Sequence, residues 1–196
     1  MDEDARKGQM TVYASQKGWW DSTAQHQYVN RNVVSTIQRD KLFDIVSKIA
    51  PGPIGFDIGG PGFSRNGVKV MGLNIVPGCD IVADACELPF KDESIDFMVS
   101  SHSMEHVKNV WMTLREMLRV LKKGGYIAII MPDLRHFVHS DGPDIAEPDL
   151  APNEMVPEQM KAILSRIVEY EYEILTFDSN RNNFDFDILL RKKEES

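Results

Sequence analysis

Hydrophobic positions change their period several times along this chain, and each change marks an element. Over residues 31–50, Val34, Ile37, Phe43, Val46 and Ile49 recur at helical spacing until Pro51 stops them. IGFDI (residues 54–58) is a short apolar run closed by Gly59, Gly60, Pro61 and Gly62, which suits a buried parallel strand and a turn. Further strands are predicted over Val68–Ile75, Cys79–Asp84 and Ser94–Ser101. From about Glu105 to Leu121 the stripe Val107, Val110, Trp111, Leu114, Met117, Leu118, Leu121 predicts an amphipathic helix, with Lys122, Lys123, Gly124 and Gly125 as its cationic, glycine-capped end. YIAIIMP (126–132) reads as a fully buried strand. A helix over Pro157–Tyr170 leads to YEILTF and FDFDILLRK, which alternate like a hairpin about the turn DSNRNN.

The alternation of strands and helices predicts an α/β fold, a doubly wound, mostly parallel sheet with a C-terminal antiparallel hairpin. Too few residues separate the first two strands for a full crossover helix, so that connection is expected to shrink to a turn. In such sheets ligands lie beyond the carboxyl ends of the strands. The predicted chemistry therefore gathers after Ile58, Ile75 and Ser101, at Asp84 and after Met131. Residues 1–30 read as an N-terminal arm, whose Tyr13, Trp19, Trp20 and Tyr28 are too many for a plain disordered tail, and residues 31–196 as the folded domain.

Composition narrows the partners. With 22 Lys plus Arg against 30 Asp plus Glu the net charge is −8, and no basic run appears. Nucleic acid and anionic membranes both draw affinity from clustered cations, so neither is expected. The two cysteines, Cys79 and Cys86, exclude a disulfide scaffold and a four-cysteine zinc site. MDEDARKGQM is acidic without an apolar stretch, so no secretory leader is expected and the location reads as cytoplasmic. Between His136 and Met160 there is no Lys or Arg but six acids and four of the ten prolines, an irregular loop placed to act as a lid.

Candidate site residues fall on the predicted strand ends. In FDIGGPGFS the glycines let backbone approach a ligand beside the fixed charge of Asp57, or make only a turn. Asn74 is able to donate to and accept from ribose hydroxyls, or to form a turn before Val76-Pro77-Gly78. Asp84 is able to accept from an exocyclic amine, with Ala85 or Cys86 backbone on a ring nitrogen and Leu88 over the ring, or it is only a helix N-cap. His102, Glu105 and His106 form an acid–base cluster, but their spacing is not HExxH and no metal is expected. His136, His139 and Asp133 follow the fifth predicted strand, where groups facing a substrate usually sit.

The run DACELPFKDESID, SSHSMEHV, EMLRVLKKGG, MPDL, ordered within Gly55–Leu134, resembles the class I S-adenosylmethionine-dependent methyltransferases, and among them the small type-11-like domains. The resemblance implies a Rossmann-like fold, S-adenosylmethionine as cofactor, and methyl transfer to a small-molecule or glycan-like acceptor. It places Asp57, Gly59, Gly60 and Gly62 at the methionine end, Asn74 at the ribose, Asp84 and Ala85 at adenine, and Ser101 with His102 beneath the sulfonium. His102, Asp133 and His136 are then the candidate bases. The chain departs from the family in GGPGF for the usual GxGxG and in Asn74 for the usual acid. These departures fit an alternative, a non-catalytic methyltransferase-like domain that binds a nucleotide-like ligand or a protein partner.

Overall fold

The computed structural model describes residues 44–46, 48–65, 68–135, 153, 155–181 and 185–194. All belong to one unit, Ile37–Ser196. The arm over residues 1–30, His136, His139 and the acidic loop up to residue 152 lie outside the described residues.

Eight strands form one sheet: β1 (Gly55–Ile58), β2 (Gly62–Arg65), β3 (Val68–Asn74), β4 (Ile81–Val82), β5 (Ile95–Ser101), β6 (Leu121–Pro132), β7 (Tyr172–Arg181) and β8 (Asp185–Lys192). Their order is β2-β3-β1-β5-β6-β8-β7, with β4 also on β3. β3, β1, β5, β6 and β4 run parallel, while β2, β8 and β7 pair antiparallel. The doubly wound sheet with its antiparallel C-terminal hairpin is thus as expected. Helices α1 (Val110–Val120) and α2 (Pro157–Leu164) flank it, and a 3-10 turn spans Met104–His106. Among the described residues no helix is long and apolar enough to cross a membrane.

The central strands read as near-continuous apolar runs because both of their faces are covered. Ile127, Ile129 and Met131 of β6 pack with Met98, Leu114, Met117 and Leu118 under α1 and α2. Ala128 and Ile130 join Phe97, Val99, Val70, Leu189 and Val46 on the other face. This period of two is the pleat of the strand expressed as two cores.

Several boundaries differ from the sequence reading. The first crossover is neither a helix nor a bare turn but β2, which folds back on the outer edge of β3. Glycine allows it: a Cβ on Gly62 (φ +75°) would lie 2.4 Å from the Gly72 nitrogen, and one on Gly72 would lie 2.3 Å from the Pro61 carbonyl carbon. The same edge of β3 then carries β4 at Leu73 and Asn74. Between the two, Asp80 Oδ2 accepts from the Gly72 N–H at 2.9 Å, which together with Lys69 holds its carboxyl below the usual range.

Second, the predicted helix over 105–121 divides. Asn109 leaves the helical conformation and its side chain accepts from the Met112 N–H, so α1 starts only at Val110. Third, Leu121–Gly125 belongs to β6, so the lysines there do not cap α1. The cap comes from 71 residues further on, where the buried Lys192 donates to the carbonyls of Leu121 (2.9 Å) and Leu118 (3.0 Å) and faces Glu93 at 3.3 Å. Lys192→Met should therefore lower stability by about 2 kcal/mol, since buried carbonyls lose a charged donor. Urea denaturation checks this, and a loss below about 0.5 kcal/mol, the range of ordinary surface substitutions, would show that water replaces the lysine. Fourth, strand β4 and helix α2 are shorter than predicted, ending at Val82 and Leu164.

Candidate active site

The carboxyl ends of β1, β3, β4, β5 and β6 meet at one edge of the sheet, because these strands are parallel. At β1 the chain turns through Gly59 (φ +82°) and Gly60. The Gly59 N–H donates to the Leu73 carbonyl at 2.7 Å, and its carbonyl accepts from the Asn74 side-chain amide at 2.7 Å. Neither glycine has room for a side chain: a Cβ at 59 would lie 2.3 Å from Ser103 Cβ, and one at 60 would lie 1.9 Å from Asp57 Oδ2. The turn is thus wedged between Ser103 and the buried Asp57. Gly62 lies inside β2, and its N–H donates to Asp57 Oδ2 at 3.3 Å. Its lack of a side chain serves strand packing.

At β3, Asn74 Oδ1 accepts from the Val76 N–H at 3.4 Å, and Ile75 beside it is 63% exposed. At β4, Asp84 closes an Asx turn by accepting from the Cys86 N–H at 2.9 Å and pairs with Lys108 at 2.6 Å. These contacts, Lys108 first, hold the Asp84 carboxyl below the usual range. Ala85 is buried, and so is Leu88, which belongs to the core. The segment after Asp84 is clamped from α1. Glu116 accepts from the Leu88 N–H at 2.9 Å, and Arg119 donates to the carbonyls of Leu88 and Phe90 (both 3.0 Å) and to Asp92 and Glu116.

At β5, Ser100 Oγ donates to the Ile58 carbonyl and Ser103 Oγ to that of Ser101. His102 adopts φ +50°, rare for a residue with a Cβ. Its Nδ1 lies 3.8 Å from Glu105 Oε1 and its Nε2 3.5 Å from Asp185 Oδ1 at the start of β8. Burial disfavours the imidazolium, but Asp185 and Glu105 outweigh it and raise the His102 pKa. Burial also raises Glu105, against the pull of His102 and His106. At β6, Asp133 is buried under a forked Arg135 contact, 2.6 Å at its shortest. Asn153, in the last part of the acidic loop, donates its N–H to the Glu105 carbonyl, and Leu134 pairs with Met155. The loop's flanks are therefore fixed beside this cluster.

Among the expected site residues, Asp57, Gly59, Gly60, Asn74, Asp84, Ala85, Ser101 and His102 stand at adjoining strand ends. Lys108, Glu116, Arg119 and Asp185 were not singled out from sequence. Glu116 and Arg119 carried a signal, their place in EMLR. Lys108 and Asp185 had none, because each meets its partner only in the fold. Among the described residues no group of three or more His, Cys, Asp or Glu is arranged to hold a metal ion.

The set fits the cofactor that the resemblance implies. A two-glycine turn without room for side chains, polar groups at three strand ends and an exposed isoleucine between them match a ligand with a zwitterionic, a hydroxylated and an aromatic part.

Comparison with known proteins agrees. Residues 63–129 match the methyltransferase domain family. An uncharacterized methyltransferase of Mycobacterium tuberculosis is 35% identical over 81 residues, 41% of this chain and 28% of that protein. The chain thus spans under a third of that relative's length. The fold is shared with a methyltransferase of Aquifex aeolicus (TM-score 0.58, 13% identity, 88% of this chain and 98% of the other). It is also shared with a Thermotoga maritima protein described as a possible histamine N-methyltransferase (TM-score 0.55, 20% identity, 86% and 95%). Sheet order, motif order and these likenesses together support a class I S-adenosylmethionine-dependent methyltransferase domain.

Proposed function

We propose that this chain binds S-adenosylmethionine across the ends of β1, β3, β4 and β5 and transfers its methyl group to a small-molecule or glycan-like acceptor in the cytoplasm. The observation that carries the reading is the row of half-exposed polar groups, Asn74, Asp84, Ser101 and His102, at neighbouring strand ends beside a cramped glycine turn. A scaffold alone has no need of polar groups at successive ends. The cofactor, when bound, supplies an electrophilic methyl on a sulfonium.

The chain's own part is to hold and orient. The Gly59–Gly60 turn offers backbone to the methionine end, with Asp57 as a fixed negative charge behind it. Asp84 and the Ala85 backbone take the adenine, and Ile75 offers an apolar surface to its face. Fixing the reacting groups in line is worth up to ~7–11 kcal/mol of barrier. Of the candidate bases, Asp133 is buried and committed to a forked contact with Arg135. His102 is the better one: Asp185 and Glu105 favour its charged form, which is the form it assumes on accepting a proton from the acceptor. His136 lies outside the described residues.

Titration calorimetry with S-adenosylhomocysteine tests the reading, and heat with a dissociation constant in the micromolar range is expected. Asp84→Ala should weaken that binding about tenfold, the effect of losing one charged hydrogen bond at ~1.4 kcal/mol. Its effect on melting should be small, because its ion-pair partner Lys108 is 79% exposed and solvent screens the pair. Unchanged affinity in the variant would leave Asp84 as a turn former only.

The second reading, a non-catalytic domain for a nucleotide-like ligand or a protein partner, draws support from one feature: Asp84 is already engaged by Lys108 and Cys86. Absence of heat with S-adenosylhomocysteine would favour it.

A further inference from the structure

Asn74 stands where the family has an acid, and the surrounding contacts explain what an acid could not do there. Both polar ends of the Asn74 side chain are used. Its Nδ2 donates to the Gly59 carbonyl at 2.7 Å, and its Oδ1 accepts from the Val76 N–H at 3.4 Å. The Gly59 N–H is itself held by the Leu73 carbonyl at 2.7 Å, so β3 grips both backbone groups of the turn. A carboxylate at position 74 has no donor and would set an oxygen against the Gly59 carbonyl oxygen. The turn has little freedom to move away, since Ser103 and Asp57 close on Gly59 and Gly60.

We infer that Asn74 is a positioning residue, a strut that fixes the glycine turn, and that an acid at this position weakens cofactor binding in this chain. The inference rests on the proposed cofactor reading, and it opposes the simple expectation that the family's acid would improve ribose recognition. It also gives the position a pH signature that a ribose contact lacks. Once protonated, the carboxyl introduced by Asn74→Asp regains an O–H that is able to donate to the Gly59 carbonyl, as the amide does. The titratable and charged groups nearest this turn in the described structure are Asp57, beneath Gly60, the Cys79 thiol, 3.7 Å from the Asn74 carbonyl, and Asp80 on the outer edge of β3, which Lys69 pairs at 3.3 Å. The Asp57 carboxylate favours the protonated form of an added acid, while Lys69 offsets the charge of Asp80.

The experiment compares wild type, Asn74→Asp and Asn74→Ala by calorimetric titration with S-adenosylhomocysteine at pH 8 and pH 5. At pH 8 the Asn74→Asp variant should bind at least about tenfold more weakly than wild type, and more weakly than Asn74→Ala. At pH 5 its affinity should return to within about threefold of wild type, while Asn74→Ala stays weak. Asn74→Asp binding as tightly as wild type at pH 8, or with no recovery at pH 5, overturns the inference while leaving the cofactor reading intact. No binding by wild type overturns both. Melting of the free proteins provides a ligand-independent reading, with Asn74→Asp below Asn74→Ala at pH 8 and the gap closing at pH 5. A variant that fails to fold at either pH overturns the inference too.

Discussion

Gly62→Ala is expected to destabilise the domain by about 3–5 kcal/mol, near the upper end for a single methyl group. Two costs combine. The residue sits at φ +75°, a region that costs an L-residue roughly 1–2 kcal/mol. The added carbon would also lie 2.4 Å from the Gly72 nitrogen and 2.8 Å from the Val70 carbonyl oxygen. Both neighbours are backbone of β3, so no side-chain rotation relieves the contact and the β2–β3 ladder has to open. Gly78→Ala is the internal control. Gly78 has φ +108° but nothing within 4 Å of an added Cβ, so only the conformational cost applies. Urea denaturation of the pair should separate them by at least about 2 kcal/mol, the part due to overpacking. Equal losses would mean that β2 peels away without consequence.

Arg119→Met should act twice, although the residue touches no ligand. Its guanidinium holds the carbonyls of Leu88 and Phe90 as well as Asp92 and Glu116, so its loss leaves several acceptors without a donor. About 2–4 kcal/mol of stability should disappear, given that each buried group left unpaired costs ~1–3 kcal/mol. The clamped segment begins four residues after Asp84, so S-adenosylhomocysteine should also bind several-fold more weakly to the folded variant. Arg119→Lys should recover little, because one ammonium cannot span the carbonyls that a planar fork reaches. A stability loss with unchanged affinity would show that the clamp serves the core and leaves the adenine end in place.

Much of this was legible in the chain. β5 and β6 announce themselves as apolar runs, and α1 as a stripe through Leu114, Met117 and Leu118. The strand ends followed from these, and with them Asp57, Asn74, Asp84 and His102. What stayed hidden is tertiary in origin. GFSR has no strand pattern, and β2 exists because two glycines let backbones meet. The end of α1 looked complete with the lysines and glycines after it, yet its carbonyls are met by Lys192 from another strand. The start of α1 did carry a sign in Asn109, which the apolar Val107 before it masked. The long span between His102 and Asp185 leaves no trace in spacing, because the contact depends on β8 lying beside β6.

That placement of β8 has a consequence for how the molecule is made. β8 follows β7 in the chain, yet it lies between β6 and β7 and pairs with both. As the nascent chain leaves the ribosome, β6 and β7 therefore emerge with no contact to one another and with a slot where their shared neighbour belongs. Each bears an unpaired edge of the kind that recruits other chains. The last turn of α1 waits as well, since Lys192 arrives with β8. Completion of the sheet is thus deferred to a late, non-local step, and contacts of that kind are slow to form and prone to aggregation. Recovery of folded protein should then be governed less by the strength of the finished core than by how long the slot stays open during synthesis.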